Sequence, residues 1–228
     1  MTESLARAFS LVFSGDKVLS EIILTTLRMA FSSSLAALLI GVPSGLLIAA
    51  NEFPGKKAVV MFIRTCMGFP PVVVGIIVYI LFSGIGPFGK LGLIYSVELM
   101  IIAQVVLITP IVAGMTETAA SPICDRLSET AKGLRMGKSK VLALTFVESK
   151  YQIIAVYLFA FARAMSEVGA VQIVGGNILH KTRVMTTTIA LNYNTGDFAY
   201  AVALGVILML IVVAVNLAAS LLQRGKKR

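Results

Sequence analysis

The stretch SETAKGLRMGKSKV (residues 128–141) lies in the middle of a strongly apolar chain and decides how the whole sequence is expected to fold. It carries five charged side chains and two glycines. The segments on both sides of it are apolar enough and long enough to cross a bilayer. The pattern therefore predicts a membrane protein that keeps a charged, helical segment between two of its spans.

The composition excludes a water-soluble globule. Of the 228 residues, 57% are hydrophobic and 14% are charged, whereas soluble chains have about 45–50% and about 25%. The net charge of +9 comes from basic residues beside apolar segments, a placement typical of membrane orientation and not of nucleic-acid binding. Cys66 and Cys124 are far apart and form no CxxC motif, so no metal site or disulfide framework is expected.

Five segments are long enough to span a membrane, since a helix needs about 20 mostly apolar residues to do so. Pro43, Pro70, Pro71 and Pro110 lie inside these segments, which indicates helices that line a cavity and do not face lipid all round. The predicted fold is an all-α integral membrane protein with five transmembrane helices. The predicted spans are 24–50, 59–82, 97–115, 151–174 and 198–222.

The distribution of lysine and arginine predicts the orientation. Twelve of these residues lie in segments on the same side as the C-terminus, and five lie in the segments on the other side. The C-terminus is therefore expected in the cytoplasm and the N-terminus outside. Residues 1–18 would be extracytoplasmic, with an amphipathic helix on the outer interface, and residues 116–150 would form a cytoplasmic loop.

Within this loop the spacing predicts a short amphipathic helix, a bend at Gly133 and Gly137, and a second helical piece leading into the fourth span. A solvated surface loop is the alternative. Two sets of residues recur at helical spacing on opposite faces: the polar Asp125, Glu129 and Lys132, and the apolar Leu127, Ala131 and Leu134.

The segment ETAKGLRMGKSKVLALTFVES (residues 129–149) resembles the EAA loop of ATP-binding-cassette (ABC) importer permeases. Glu129, Thr130 and Ala131 match its start, with threonine in place of the first alanine. The glycine of the family pattern falls on Arg135, and its closing proline falls on Glu148. The position of the loop, two spans before the C-terminus, matches the type I importer permeases.

Three further segments resemble permeases for molybdate, tungstate and sulfate, and the tungstate branch most of all. This resemblance implies one permease domain over residues 1–228 that imports an oxyanion, most specifically tungstate, with molybdate or sulfate as the alternatives. The segments are FPPVVVGIIVYILFSGIGPFGKLG (69–92), ARAMSEVGAVQIVGGN (162–177) and KTRVMTTTIALNYNTGDFAYAVALG (181–205).

The resemblance also implies the partners and the cellular location. These are a second copy of the chain, two cytoplasmic ABC ATPase subunits, an extracytoplasmic oxyanion-binding protein and the lipid of a prokaryotic inner membrane, with no nucleic acid. The chain has no GxxxxGK[ST] phosphate loop, so ATP and magnesium are expected on the ATPase. No cofactor, metal or catalytic residue is expected on this chain. The same match assigns coupling to the ATPase to Glu129, Thr130, Ala131, Gly133 and Gly137.

Candidate residues for the translocation path come from ionisable and hydroxyl groups near the fourth and fifth spans. Arg163 and Glu167 are four residues apart on one helix face. They could steer a dianion or simply form an ion pair. Thr186, Thr187 and Thr188 could line a weak anion path or bond the carbonyls of their own helix. The run 175–177, Gly-Gly-Asn, could be a backbone anion nest or a turn.

Two other classes of protein fit the sequence less well. An intramembrane hydrolase needs a nucleophile and a base at membrane depth. The single histidine, His180, lies in a loop, no GxSxG motif occurs, and one histidine cannot complete HExxH. An ATP-independent channel or carrier would account for the spans but not for the cytoplasmic helix–bend–helix.

Overall fold

The computed structural model describes residues 17–134 and 136–224. An interfacial helix was predicted within residues 1–18, and of this segment only residues 17 and 18 are described. Across the described ranges the chain forms nine α-helices and no strand. They are α1 (Lys17–Ala50), α2 (Lys56–Met67), α3 (Pro71–Phe82), α4 (Val97–Gly133), α5 (Lys138–Glu148), α6 (Lys150–Met165), α7 (Gly169–Gly175), α8 (Met185–Thr195) and α9 (Phe198–Arg224).

The spans are of two kinds. Helices α1, α4 and α9 are each long and apolar enough to cross a membrane alone. The pairs α2–α3 and α5–α6 pass the same test only together, and they bend by 95° and 63°. Counting each bent pair as one span gives up to five, in agreement with the all-helical, five-span fold expected from the sequence.

The second predicted span is broken because of its local sequence. Helix α2 ends before Gly68, and α3 begins with Pro71 at its first position, with Pro70 extended at φ −63° and ψ 123°. Proline has no N–H and fixes φ, so it suits the first turn of a helix but cannot continue the preceding one. The segment therefore turns sharply at residues 68–70.

The fourth predicted span differs from the prediction. Residues 151–174 are not one helix, because α6 ends at Met165 and α7 begins at Gly169. The helix that pairs with α6 to reach a membrane-spanning length is α5, which precedes it.

Helix α4 is longer than predicted. The sequence suggests a span at 97–115 followed by a separate short helix, but the structure has one helix of 37 residues that runs to Gly133. Pro110 and Pro122 both lie inside it. At about 1.5 Å per residue the helix is about 55 Å long, which is more than a bilayer core requires.

The described chain separates into two compact units. The first comprises the residues up to Ser33, Pro70–Gln104 and those from Ala162 onward. In it, Leu19 and Ile22 of α1 pack with Met185 of α8 and with Leu204 and Ile207 of α9. This apolar cluster joins three helices through fully or almost fully buried side chains.

Two close contacts organise the rest of the first unit. A Cβ at Gly75 of α3 would lie 2.7 Å from the Cα of Ala170 in α7, so only glycine permits this approach. Gln104 is fully buried. Its amide accepts a hydrogen bond from the Ser33 hydroxyl at 2.5 Å and donates one to the Ala164 carbonyl at 2.9 Å. The amide therefore satisfies a carbonyl in the last turn of α6.

A connecting segment, residues 83–96, follows α3 in the same unit. Phe82 and Phe88 stack with ring centroids 5.1 Å apart, and the backbone N–H of Tyr95 donates to the Val174 carbonyl at 3.0 Å. The hydrogen bond with the Tyr79 hydroxyl, together with the charge of that phenol when ionised, raises the pKa of Tyr95 above its ordinary value of 10.0. The Tyr95 ring is therefore uncharged at neutral pH.

The second unit comprises Ser34–Phe69 and Val105–Phe161. A Cβ at Gly41 would lie 2.8 Å from Val112, and one at Gly45 would lie 2.5 Å from the Ala113 carbonyl. Small residues allow helices to approach closely in membranes, and here they bring α1 against α4.

Candidate functional site

The predicted coupling segment is a helix, a bend and a second helix. The last turns of α4 leave Glu129 and Thr130 exposed, whereas Ala131 is buried at 5% exposure. Ala131 packs with Cys124 of the same helix and Val141 of α5. The helix–bend–helix prediction is confirmed, with the correction that its first helix is the end of α4 and not a separate element.

Backbone hydrogen bonds close the bend. The Met136 N–H donates to the Ala131 carbonyl at 2.9 Å, and the Lys140 N–H donates to the Gly137 carbonyl at 3.0 Å. Gly137 precedes α5 with φ −72° and ψ 154°, which any residue can adopt. The two helices are thus joined by a short and well-bonded connection.

Neither glycine of the bend is required by contacts within the described chain. A Cβ at Gly133 or at Gly137 would have no atom within 4 Å, and neither has a positive φ. Leu134, between them, is 67% exposed. The spacing of Glu129 and Lys132 also favours an i,i+3 ion pair, and the Lys132 side chain lies outside the part of the chain that the structure describes.

The ion pair expected between Arg163 and Glu167 is present. Arg163 Nη1 lies 2.6 Å from Glu167 Oε2, and the side chains are 31% and 5% exposed. The backbone N–H of Ala170, in the first turn of α7, donates to Glu167 Oε1 at 3.2 Å. Glu167 therefore links the end of α6 to the start of α7 across the helix break. A role in steering an anion stays a prediction.

Thr186, Thr187 and Thr188, in the first turn of α8, are all buried, at 5% exposure or less. The Thr188 hydroxyl donates to the Val184 carbonyl at 2.7 Å. Such bonding to the carbonyls of the local backbone was the alternative to a role in the translocation path. The Thr187 hydroxyl donates to Asn177 Oδ1 at 2.9 Å. The Thr186 hydroxyl donates to the Glu167 carbonyl at 2.8 Å and so supports the same helix break. Their place on the translocation path also stays a prediction.

The Gly175–Gly176–Asn177 run is a turn that ends α7. Gly176 and Asn177 have φ values of +69° and +50°, and the Gly176 N–H donates to the Gln172 carbonyl at 2.9 Å. His180, to which the sequence assigned no chemistry, lies with its Nδ1 2.7 Å from Glu21 Oε2.

The second unit contains a charged cavity that no motif in the sequence predicts. Its volume is about 970 Å³, and its charged lining consists of Glu52, Lys56, Lys57, Arg64 and Glu117. Neither Arg64 nor Glu117 was predicted to be a site residue. The two residues lie 53 positions apart in the sequence and belong to no common motif.

Two ion pairs lie along this cavity. Lys56 Nζ is 2.7 Å from Glu52 Oε1, and Arg64 Nη2 is 3.7 Å from Glu117 Oε2. Glu117 is buried at 8% exposure. Over the described ranges, no group of three or more His, Cys, Asp or Glu side chains is placed to hold a metal ion.

Comparison with known proteins places these features in a family. Residues 41–228 match the family described as binding-protein-dependent transport system inner membrane component. The chain is 34% identical over 216 residues, 95% of each chain, to the tungstate uptake system permease protein TupB of Peptoclostridium acidaminophilum. It is 33% identical to the protein of the same name from Campylobacter jejuni, over 96% of this chain and 91% of that one.

A more distant relative and a solved structure also match most of the chain. The sulfate transport system permease protein CysW of Synechocystis is 26% identical over 87% of this chain and 75% of its own length. An inward-facing structure of the MetNI methionine ABC transporter superposes with a TM-score of 0.74 at 18% identity, over 91% of this chain and 95% of that one. The chain therefore belongs to the binding-protein-dependent transport system inner membrane component family and is a multi-pass membrane permease with the type I ABC importer fold.

Proposed function

We propose that the chain is the permease subunit of an ATP-driven importer whose cargo is a tetrahedral oxyanion, most specifically tungstate. The observation that carries this proposal is the identity of 34% along 95% of both chains to a tungstate uptake permease. Relatives named for sulfate and for molybdate or tungstate match at 26–28% identity, so molybdate and sulfate are the alternatives. An ATP-independent carrier is disfavoured by the family match.

The helix–bend–helix of residues 116–150 is the proposed contact with the ATPase. Glu129 and Thr130 are exposed there, and Gly133 and Gly137 have open space where a side chain would lie. A partner could therefore approach the backbone closely at the bend. Ala131, which is buried, would anchor the bend to α5.

Mechanical coupling requires a stiff connection, and the structure supports one. Helix α4 runs without interruption into the bend, so a push on the bend would move the helix as a body. In this scheme two ATPase subunits hold ATP and magnesium, an extracytoplasmic protein delivers the anion, and two copies of the chain (residues 1–228, one permease domain each) form the pore. The bend and the C-terminus would be cytoplasmic and the N-terminus outside, as the lysine and arginine distribution indicates.

The translocation path is proposed to pass Arg163, Glu167 and Thr186–Thr188. The Arg163 side chain is 31% exposed while Glu167 is almost fully buried, so the arginine is the member of the pair that an anion could reach. Glu167 and the threonines, which bond backbone and neighbouring side chains, would hold the segment in shape.

Uptake in intact cells tests the proposal. Deleting the gene in its host should abolish uptake of radiolabelled tungstate at low external concentration, and the wild-type gene should restore it. Excess molybdate should compete more strongly than sulfate. Unchanged tungstate uptake in the deletion strain, or uptake that only sulfate suppresses, would contradict the assignment.

Labelling tests the orientation separately. Ser139 is exposed on α5, so a Ser139→Cys variant should react with a membrane-impermeant maleimide in inverted vesicles and not in intact cells. Labelling in intact cells would place the bend outside and remove any contact with a cytoplasmic ATPase.

A further inference from the structure

The 970 Å³ cavity of the second unit has a lining that favours anions. It is lined by the loop 52–55 that follows α1, by α2 as far as Thr65, and by Glu117 of α4. Lys56, Lys57 and Arg64 supply three positive charges against the two negative charges of Glu52 and Glu117. The cavity is also roomy: one water takes about 30 Å³ of liquid volume, so an oxyanion could enter with part of its hydration shell.

Of the three positive side chains in this cavity, only Lys56 forms a short ion pair within the described chain. Lys56 is held by Glu52 at 2.7 Å. Lys57 is exposed, and among the described residues no acid lies within ion-pair distance of it. The Arg64 side chain is 61% exposed, and its contact with Glu117 is long, at 3.7 Å. A guanidinium has five N–H donors, so most of those on Arg64 are open to another acceptor.

Glu117 depends on this weak contact. It is buried, and its other polar contacts are long hydrogen bonds from the hydroxyls of Thr118 at 3.4 Å and Ser121 at 3.3 Å. A buried carboxylate needs a partner to remain charged. An anion in the cavity and the Glu117 carboxylate would therefore compete for the same guanidinium.

The start of α2 adds to the positive field. The helix begins at Lys56 beside the cavity, and no side chain caps its first turn. Free N–H groups at a helix N-terminus attract anions. The helix N-terminus therefore adds to the attraction that the lysine and arginine side chains exert on an anion in the cavity.

We propose that this cavity is a low-affinity binding site for a tetrahedral oxyanion, in which Lys57 and Arg64 contact the anion and Glu117 competes with it for Arg64. The inference rests on the proposed function, since it gives the imported anion a resting place on the permease itself. Competition from Glu117 keeps the binding weak, and a weak site suits transport because a bound ion must also leave.

Ligand-dependent thermal unfolding measures such weak binding, because a ligand stabilises the folded state in proportion to ln(1 + [L]/Kd). The full-length permease, in nanodiscs of phosphatidylcholine, would be titrated with sodium tungstate against sodium chloride of equal ionic strength. Lys57→Gln should raise the apparent Kd about three-fold, and Arg64→Gln about ten-fold. Glu117→Gln should lower it several-fold, because the arginine is then free.

The matched control is Lys140→Gln, which removes an exposed positive charge from α5 outside the cavity and should leave the Kd unchanged. Lys57→Gln is the decisive variant, because Lys57 is exposed with no acid paired to it in the described chain. Loss of Arg64, in contrast, also removes the ion-pair partner of the buried Glu117. Three results would each overturn the inference. They are an absence of stabilisation by tungstate, an equal Kd in Lys57→Gln and wild type, and a higher Kd in Glu117→Gln.

The same chemistry could recognise the phosphate of a lipid headgroup. Repeating the titration in nanodiscs of equal parts phosphatidylcholine and phosphatidylglycerol separates the two sources. An unchanged Kd for tungstate supports a site for the free anion, whereas a Kd that rises with phosphatidylglycerol in wild type but not in Lys57→Gln assigns the cavity to lipid and overturns the inference. The two proposals can also fail separately. If cells take up tungstate normally but the anion does not bind to the cavity, this inference is contradicted and the proposed function still stands.

Discussion

The ion pair of Arg163 and Glu167 allows a sharp test of what an arginine does at this position. Replacing Arg163 with leucine leaves the Glu167 carboxylate, 5% exposed, without the guanidinium that lies 2.6 Å away. Among the described residues, the hydrogen bond that remains to this carboxylate comes from the Ala170 N–H at 3.2 Å. The variant therefore creates a buried negative charge with one hydrogen-bond donor.

The cost can be worked out from the burial of the two partners. Removing one member of a fully buried pair costs about 3–5 kcal/mol. Because the Arg163 side chain is 31% exposed, solvent screens part of the attraction, and we expect a loss of about 2–3 kcal/mol. In a chain of this size 1 kcal/mol corresponds to about 2–4 °C, so the Tm should fall by about 5–10 °C.

The assay compares Arg163→Leu with the double variant Arg163→Leu/Glu167→Gln, using thermal unfolding of the purified permease and tungstate uptake in cells. The double variant removes the orphaned charge, so most of the lost stability should return. If Arg163 contacts the anion, as proposed, uptake should stay slow in this stable protein. Full recovery of uptake would show that the arginine only neutralises Glu167. A Tm of Arg163→Leu equal to that of wild type would refute the electrostatic argument itself.

Three other changes test packing and coupling. Gln104→Leu should lower stability by about 1–3 kcal/mol, because it leaves a buried carbonyl at the end of α6 without its donor; thermal unfolding measures the loss, and a wild-type Tm would contradict it. Gly75→Leu should cost at least about 1–3 kcal/mol by pushing α3 away from Ala170, whereas the control Gly205→Ala, which meets no atom within 4 Å, should be neutral or slightly stabilising. Glu129→Arg should insert and unfold like wild type but separate ATP hydrolysis from uptake, and unchanged uptake would remove this residue from the coupling contact.

Much of the fold could be predicted from composition, because membrane spans are long apolar segments and the sequence contains five of them. Proline alone did not locate the turn inside the second span, because Pro43 and Pro110 lie inside continuous helices, whereas Pro70 and Pro71 stand at a break. The break in the fourth span could not be located either, because residues 166–168 contain no proline or glycine. It is stabilised by the Gln104 amide, which bonds the Ala164 carbonyl from another helix. A tertiary contact of this kind leaves no local signal.

The length of α4 could not be predicted for a different reason. The appearance of charged residues after 115 marks the end of the apolar segment, but it does not mark the end of the helix. Glu117, Asp125 and Glu129 all lie in the continuing helix, and Pro122 lies within it as well. Hydropathy thus located the end of the span, whereas the glycine at 133 located the end of the helix.

Only part of the candidate site could be predicted from the sequence. The proposed coupling residues could be named because their motif is contiguous, and the structure forms the helix–bend–helix that the motif implies. Arg64 and Glu117 could not be paired, because 53 positions separate them and neither belongs to a motif. The threonines at 186–188 looked like a polar lining, but their hydroxyls are buried and bonded to protein acceptors.

The second unit brings the proposed coupling contact and the proposed anion cavity onto one helix. Glu117 and Glu129 are 12 residues apart on α4, which is about 18 Å along the helix axis. Arg64 belongs to α2, which has no buried side chain of its own and is therefore held less firmly than α4. A force applied at the bend would shift Glu117 relative to Arg64, and a 3.7 Å contact is easily lengthened or shortened. Because Glu117 competes with the anion for Arg64, such a shift would change the affinity of the cavity, and ATP-driven movement of the bend would then control when the anion leaves.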